Sequence, residues 1–397
     1  MLRFCLPLLL ILNFFLGVSV AQEDPPLRIW VDLASAPAFE ALAREFEQET
    51  GYRVAIEVHP IGKMLDDYRE ALSTAYAPDL FIGVHDWIPQ MLDNTAIAPL
   101  DLSSWEADFH QPALEALQVD GFYYGVPLLE ENIAFLRHPQ RVPVMPTDWE
   151  AVRQLSSEGQ NFLFLNENAL YFIPLLSAYG GYIYGRAADG SAIIEDIGLD
   201  QADAMAAANY FEGMVDDDLS PSGLQAEDLI ERYIEGYASM MPVDRWMLTA
   251  LDEAGVPYTL GAFPAGPGGA ARPMIGVEAI FLNPLGDSPL IAESFLYNYV
   301  LEDTFLKTLS AENVEKNGRV PAYIPAREAV TDPLTLGFMA AGEEGQALPV
   351  FAEMQPAWTQ LALALKRIDK DIYSGEDAFK IAAAEIRQAL AEIDEEP

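Results

Sequence analysis

Residues Pro78–Trp87 read PDLFIGVHDW. Leu80 to Val84 is a short apolar run bounded by Pro78 and Asp79, the pattern of a buried strand, and it opens at its C-terminal end onto His85, Asp86 and Trp87. At such strand ends in an open α/β sheet the loops are held by rigid backbone while their side chains converge on one crevice, so ligands collect there. Asp86 accepts hydroxyl hydrogens and the Trp87 indole covers the apolar face of a sugar ring, a pairing that suits a carbohydrate. The same residues also suit a helix N-cap at Asp86 followed by Trp87 packed as core.

Before the decapeptide, Leu27 to Asp32 (LRIWVD) is an apolar strand ending on an acid, and a helical pattern with Phe39, Leu42, Ala43 and Phe46 on one face runs from Ala36 to a stop at Gly51. Val54 to Val58 is a second strand, and His59-Pro60 turns the chain into another helix. Strand, helix, strand, helix, strand is the order of a parallel sheet with right-handed crossovers. After the decapeptide, Gly121 to Leu129 is strand-like and runs into Glu130-Glu131-Asn132, followed by the apolar Ile133 to Leu136. Acids between two apolar runs fit a crossing between domains, open to water, or helix caps; the crossing is the reading adopted. Helices are predicted from Thr147-Asp148, across Ala202 to Val215 and Glu227 to Gly236, and Ala238 to Met241 reads as a strand ending in Asp244-Arg245-Trp246. Ile275 to Leu282 is one more apolar strand, Phe295 to Leu309 reads as one helix, Pro321 to Pro325 as extended chain, and helices finish from Asp332.

The 397 residues exceed one ordinary core, and 51% hydrophobic content fills two. Arg3, the apolar Leu6 to Leu16 and the small-residue site Ser19-Val20-Ala21 predict a secretory signal peptide over residues 1–21. The single cysteine, Cys5, lies within it, so the exported chain has no disulfide and no thiolate chemistry. Without residues 1–21 the chain carries 21 basic against 62 acidic residues, a net −41. That field repels nucleic acid and anionic membrane surfaces, and the scatter of the acids reads as a solvated surface.

Two βα domains joined by more than one crossing place a cleft between them. Its candidate lining is Asp32, Asp86, Trp87, Glu131, Tyr171, Trp246 and Trp358, rings plus carboxylates that suit a neutral polyhydroxylated ligand. Asp86 and Glu131 also fit, as a less favoured alternative, the acid pair that a glycosidase needs. His59, His85, His110 and His138 show no metal-ligand spacing, and no nucleophile-elbow, P-loop or dinucleotide fingerprint occurs.

In order from Leu27 to Trp358, the stretches LRIWVD, FEALAREFEQETGYRV, PDLFIGVHDW, GVPLLEENIAF, FLNENALYF, LLSAYGGY, EGYASMMPVDRW, IGVEAIFLNP, AESFLYNYVL and MQPAW resemble the maltose/maltodextrin-binding proteins, periplasmic solute-binding subunits of ABC importers. The resemblance implies an α/β, two-lobed periplasmic-binding-protein fold with an interlobe ligand cleft and a multi-strand hinge. It implies an N-terminal lobe from 22–130 with 279–328 and a C-terminal lobe from 131–278 with 329–397. Asp86 matches the family's cleft aspartate, Glu131 its glutamate at the interlobe crossing, and Tyr171, Trp246 and Trp358 its stacking aromatics. Gly83 stands where the family has tryptophan, Trp87 where it has arginine, Ala34 and Ser35 where it has an Asp-Lys pair, and Ala169 where it has glutamate, which implies a floor less charged than the family's. Trp87 is then a candidate to replace the tryptophan missing at 83.

The reading is therefore a periplasmic, monomeric binding protein without enzymatic activity and without cofactor or metal. It captures an oligosaccharide, maltose/maltodextrin or another α-glucoside, for a membrane permease of an ABC importer. The alternatives are a different sugar, a polyol or a cationic solute, and a glycosidase using Asp86 and Glu131.

Overall fold

The computed structural model describes residues 25–395 apart from 75, 188–191, 218 and 220; the signal peptide expected at residues 1–21 lies outside them. Among the described residues the apolar runs build two main sheets, beside two small two-stranded ones. In the larger, neighbouring strands are Val320–Pro321, Val126–Glu131, Met274–Leu282, Leu80–Val84, Leu27–Val31 and Val54–Val58, and Gln346–Ala347 adds to the start of Met274–Leu282. The last three of the six are mutually parallel, as the strand-helix-strand order requires, and Met274–Leu282 runs antiparallel to both its neighbours. The smaller sheet orders Thr259–Gly261, Ala134–Arg137, Ala238–Val243 and Asn161–Phe162.

Each sheet has its own core. One gathers Ile29, Phe39, Phe81, Leu129, Ile280 and Phe295; the other gathers Phe135, Trp149, Phe172, Met240, Leu365 and Phe379. Among its passages between them are Glu131–Ile133, Met274–Ile275 and the stretch between Ala326 and Leu334, and Ala347 returns to the first core before Met354 joins the second. A boundary at 278/279 would divide the strand Met274–Leu282, which the larger sheet pairs along its length. The passage lies instead at that strand's first residue.

Local chemistry places the elements. The helix Ala36–Thr50 starts with Pro37 in its first turn, where a missing N–H costs nothing, and ends at Gly51, whose φ of 74° suits a residue without Cβ. Asp148 caps the helix Trp149–Ser157 by accepting the Ala151 N–H. Two expectations are corrected. Phe295 to Leu309 is not one helix: Pro289–Phe295 leads into a π turn at Leu296–Val300, and a new helix, Asp303–Asn317, starts after Leu301 and Glu302. Pro321 to Pro325 is extended only at its start and enters the short helix Ile324–Arg327.

Strands Leu27–Val31, Leu80–Val84 and Val126–Glu131 run in one direction, so their C-terminal ends share an edge. Asp32, His85–Trp87 and Glu131 follow those ends, where Glu131 also begins a passage to the second core.

Candidate functional site

His85 anchors the loop after Leu80–Val84. Its Nδ1 accepts the Val277 N–H at 3.1 Å and its Nε2 meets the Leu348 carbonyl at 3.0 Å, the tautomer of a neutral ring. Burial, which disfavours the charged form, holds its pKa below the ordinary histidine value. Asp86, next in the one-turn helix His85–Trp87, is exposed and makes no cap bond, so the N-cap alternative does not describe it. Its carboxyl is nonetheless pushed up by desolvation.

Trp87 folds back over the sheet. A Cβ placed on Gly83 would lie 2.6 Å from Trp87 Cζ3 and 2.7 Å from Cε3. The ring thus fills the space a side chain at 83 would enter, and it is half-buried against the larger-sheet core. Packing is part of its role, as the core reading of the decapeptide held.

Asp32 is buried and spent: Oδ1 accepts the Ser35 N–H at 2.8 Å and Oδ2 accepts Arg319 Nη1 at 3.2 Å. It holds the loop, which removes it from the exposed contact residues. Arg319 also grips Glu278 in a fork, Nη1 to Oε1 at 2.9 Å and Nη2 to Oε2 at 2.7 Å, and reaches Glu131 Oε1 at 3.3 Å. Burial alone would lower the Arg319 pKa, but Glu278, Glu131 and Asp32 together hold it above the ordinary value. Glu278, fully desolvated, is pushed up to about 7 despite its arginine. From the second lobe, Arg245 Nη2 donates to Glu131 Oε1 at 2.9 Å. Charge enters the floor from residues 245, 278 and 319, outside the positions compared in sequence.

The aromatic candidates divide. Asn168 caps the helix Ala169–Ala178 by accepting the Leu170 and Tyr171 N–H groups, which fixes Tyr171 in the first turn with its ring 4% exposed. Its hydroxyl donates to Asp244. Burial first, and then the Asp244 charge, hold that phenol above its ordinary pKa, while burial raises Asp244 and the Glu131 charge adds to it. Tyr171 is therefore no open stacking surface, correcting the expectation from sequence. Trp246, on the first turn of the helix Arg245–Ala254, is 54% exposed. Trp358, on the helix Met354–Asp369, is half-buried against the second core.

The sequence reading passed over Arg319, Glu278 and Arg245 as site residues. One signal was present: Glu278 interrupts the otherwise apolar MIGVEAIFL, and an acid inside a buried strand demands a partner. A cavity of about 1170 Å³ lies elsewhere between the lobes, bounded by Pro89, Leu92, Tyr182, Tyr184, Leu348 and Phe351 among others, and none of the seven candidates lines it. Among the described residues no group of three or more His, Cys, Asp or Glu is placed to hold a metal ion, and no helix is long and apolar enough to cross a membrane.

Residues 41–343 match the family described as bacterial extracellular solute-binding protein. The galactooligosaccharide-binding protein of Bacillus subtilis is 24% identical over 88% of this chain and 85% of its own. The maltodextrin-binding protein of the same organism is 25% identical over 81% and 79%. A solved structure of a cyclo/maltodextrin-binding protein with maltotetraose superposes with a TM-score of 0.82 at 20% identity, covering 93% of this chain and 98% of that one. The fold is thus the two-lobed α/β fold expected from sequence.

Proposed function

The chain belongs to the bacterial extracellular solute-binding proteins, and on that premise we propose that it captures an oligosaccharide, a maltodextrin or related α-glucoside, and hands it to the membrane permease of an ABC importer. It does so as an exported monomer and breaks no bond. The observation that carries this reading is the meeting of the lobes at Glu131. Arg245 of the second lobe reaches that half-exposed carboxylate at 2.9 Å, and the next residue, Trp246, leaves its indole 54% exposed. A water-facing carboxylate oxygen and an open ring from two lobes are what a hydroxylated ring with one apolar face engages. Asp86 adds a second carboxylate and Trp358 a second aromatic surface. A ligand touching both lobes favours their approach through contacts that the separated lobes cannot both make. The names of the oligosaccharide-binding relatives support this choice of ligand.

A thermal-shift screen of the chain from Gln22 onward against maltose, maltotriose, galactooligosaccharides, polyols and polyamines tests the reading, because a ligand that binds only the native state raises Tm by mass action. A rise with oligosaccharides is the expected result. A rise only with polyols or polyamines replaces the cargo, and hydrolysis of an oligosaccharide that Glu131→Gln abolishes replaces the function.

The 1170 Å³ cavity favours a second reading, in which the sugar sits against Tyr182 and Tyr184. Loss of affinity in Tyr182→Ala, with Trp246→Ala unaffected, would move the ligand there.

A further inference from the structure

Three carboxylates from three strands converge on one guanidinium at the edge where the lobes meet. Glu278 is buried and gives both oxygens to Arg319; Asp32 is buried and divides its oxygens between Ser35 and Arg319. Neither has an oxygen to offer a ligand. Glu131 differs, because its side chain is 51% exposed and both of its arginine contacts, Arg319 at 3.3 Å and Arg245 at 2.9 Å, fall on the same atom, Oε1. Oε2 keeps its lone pairs for another donor.

An exposed glutamate samples many rotamers and loses that freedom when a ligand fixes it. A carboxylate already pinned at one oxygen loses less, and the saving appears as affinity. Arginine suits the task because its planar fork holds several acceptors at once and stays charged when buried.

We propose that Arg319 is the positioning residue of the ligand cleft: anchored by Glu278 and Asp32, it pins Glu131 Oε1 so that Oε2 accepts a hydroxyl of the bound oligosaccharide. Arg319 does not itself touch the ligand. This rests on the oligosaccharide reading above and adds to it the residue through which Glu131 acts.

The test is calorimetric titration with maltotriose, and with any oligosaccharide found in the screen, of wild type, Glu131→Gln, Arg319→Gln, Arg319→Lys and the Glu131→Gln/Arg319→Gln double variant. Arg319→Gln is expected to weaken binding about ten- to a hundredfold, as Glu131→Gln does, the range for a hydrogen bond to a charged group. The double variant is expected within about twofold of Glu131→Gln alone, since a residue acting through Glu131 has nothing left to position. Arg319→Lys, which keeps the charge without the fork, is expected to restore part of the affinity. A merely structural arginine would give losses that multiply in the double variant, and that result overturns the proposal, as does Arg319→Gln binding like wild type. If Arg319→Gln does not fold, Glu278→Gln/Arg319→Gln removes the buried partner as well and carries the same comparison with and without Glu131→Gln. Wild type binding no oligosaccharide would overturn the ligand reading itself and this inference with it; wild type binding with Arg319→Gln unaffected overturns only the positioning role.

Discussion

Glu130 and Glu131 are neighbours at the end of the strand Val126–Glu131, and their side chains leave it on opposite faces. Glu130 is buried between His110 Nδ1 at 2.7 Å and Arg327 Nη1 at 2.9 Å, with its strand, His110 and Arg327 all on the side of the larger-sheet core. Glu131 is half-exposed and bonded by arginines that come from both lobes. One residue step thus separates a carboxylate that holds a lobe together from one that joins two lobes and faces water. Exposure and the origin of the partners, rather than residue type, distinguish support from site.

The largest effect that would sharpen this contrast is on stability. Arg327→Met strips the arginine from buried Glu130, leaving His110 as its partner, and is expected to cost about 1.5–3 kcal/mol in denaturant unfolding, the range for a lost hydrogen bond to a charged group. Glu131→Gln is expected to cost less than about 1 kcal/mol of stability, since its pairs reach water. It should cost about 1.5–3 kcal/mol of ligand binding by calorimetry. Equal unfolding costs for the two variants would erase the distinction.

The aromatic side repeats the contrast at smaller scale. Tyr171→Phe removes one donor from half-buried Asp244 and should lower stability by about 1–3 kcal/mol. Trp246→Ala should leave stability within about 0.5 kcal/mol while costing about 1–3 kcal/mol of binding. Unfolding and titration of both variants decide it.

A further effect is in pH. Glu278 is pushed up by burial from the ordinary 4.5 to about 7 in the folded chain, so across that window the folded state binds the proton more tightly than the unfolded one. Stability from this group therefore falls as pH rises from about 4.5 to about 7 and is flat above. Asp86 and Asp244 are raised and share this sign, whereas Asp101 and Asp303 are lowered and oppose it. The difference between wild-type and Glu278→Gln melting curves across pH isolates the effect, which for a rise from 4.5 to about 7 is on the order of 3 kcal/mol. A difference independent of pH would contradict it.

Much of the frame was legible because it depends on local pattern. The apolar run Leu80–Val84, the alternation of strands and helices before it and the acids at Glu130-Glu131 between two apolar runs sufficed to place the sheet edge and a passage between cores. Other features depend on contacts that pattern does not encode. Arg319 and Glu278 are 41 residues apart and meet only once strand register is set. Tyr171 reads the same in NALYF whether its ring faces in or out, and its partners Asp244 and Met247 lie more than 70 residues away in sequence. The apolar pattern of Phe295 to Leu309 continues through a π turn and a helix break without a proline or glycine to mark either.

The most direct measurement is calorimetric titration of the chain from Gln22 onward, wild type and Trp246→Ala, with maltose, maltotriose and galactooligosaccharides. The account predicts that wild type binds at least one of them and that Trp246→Ala weakens it about tenfold or more at an unchanged Tm. Wild type binding none of them, or both proteins binding equally, would contradict it.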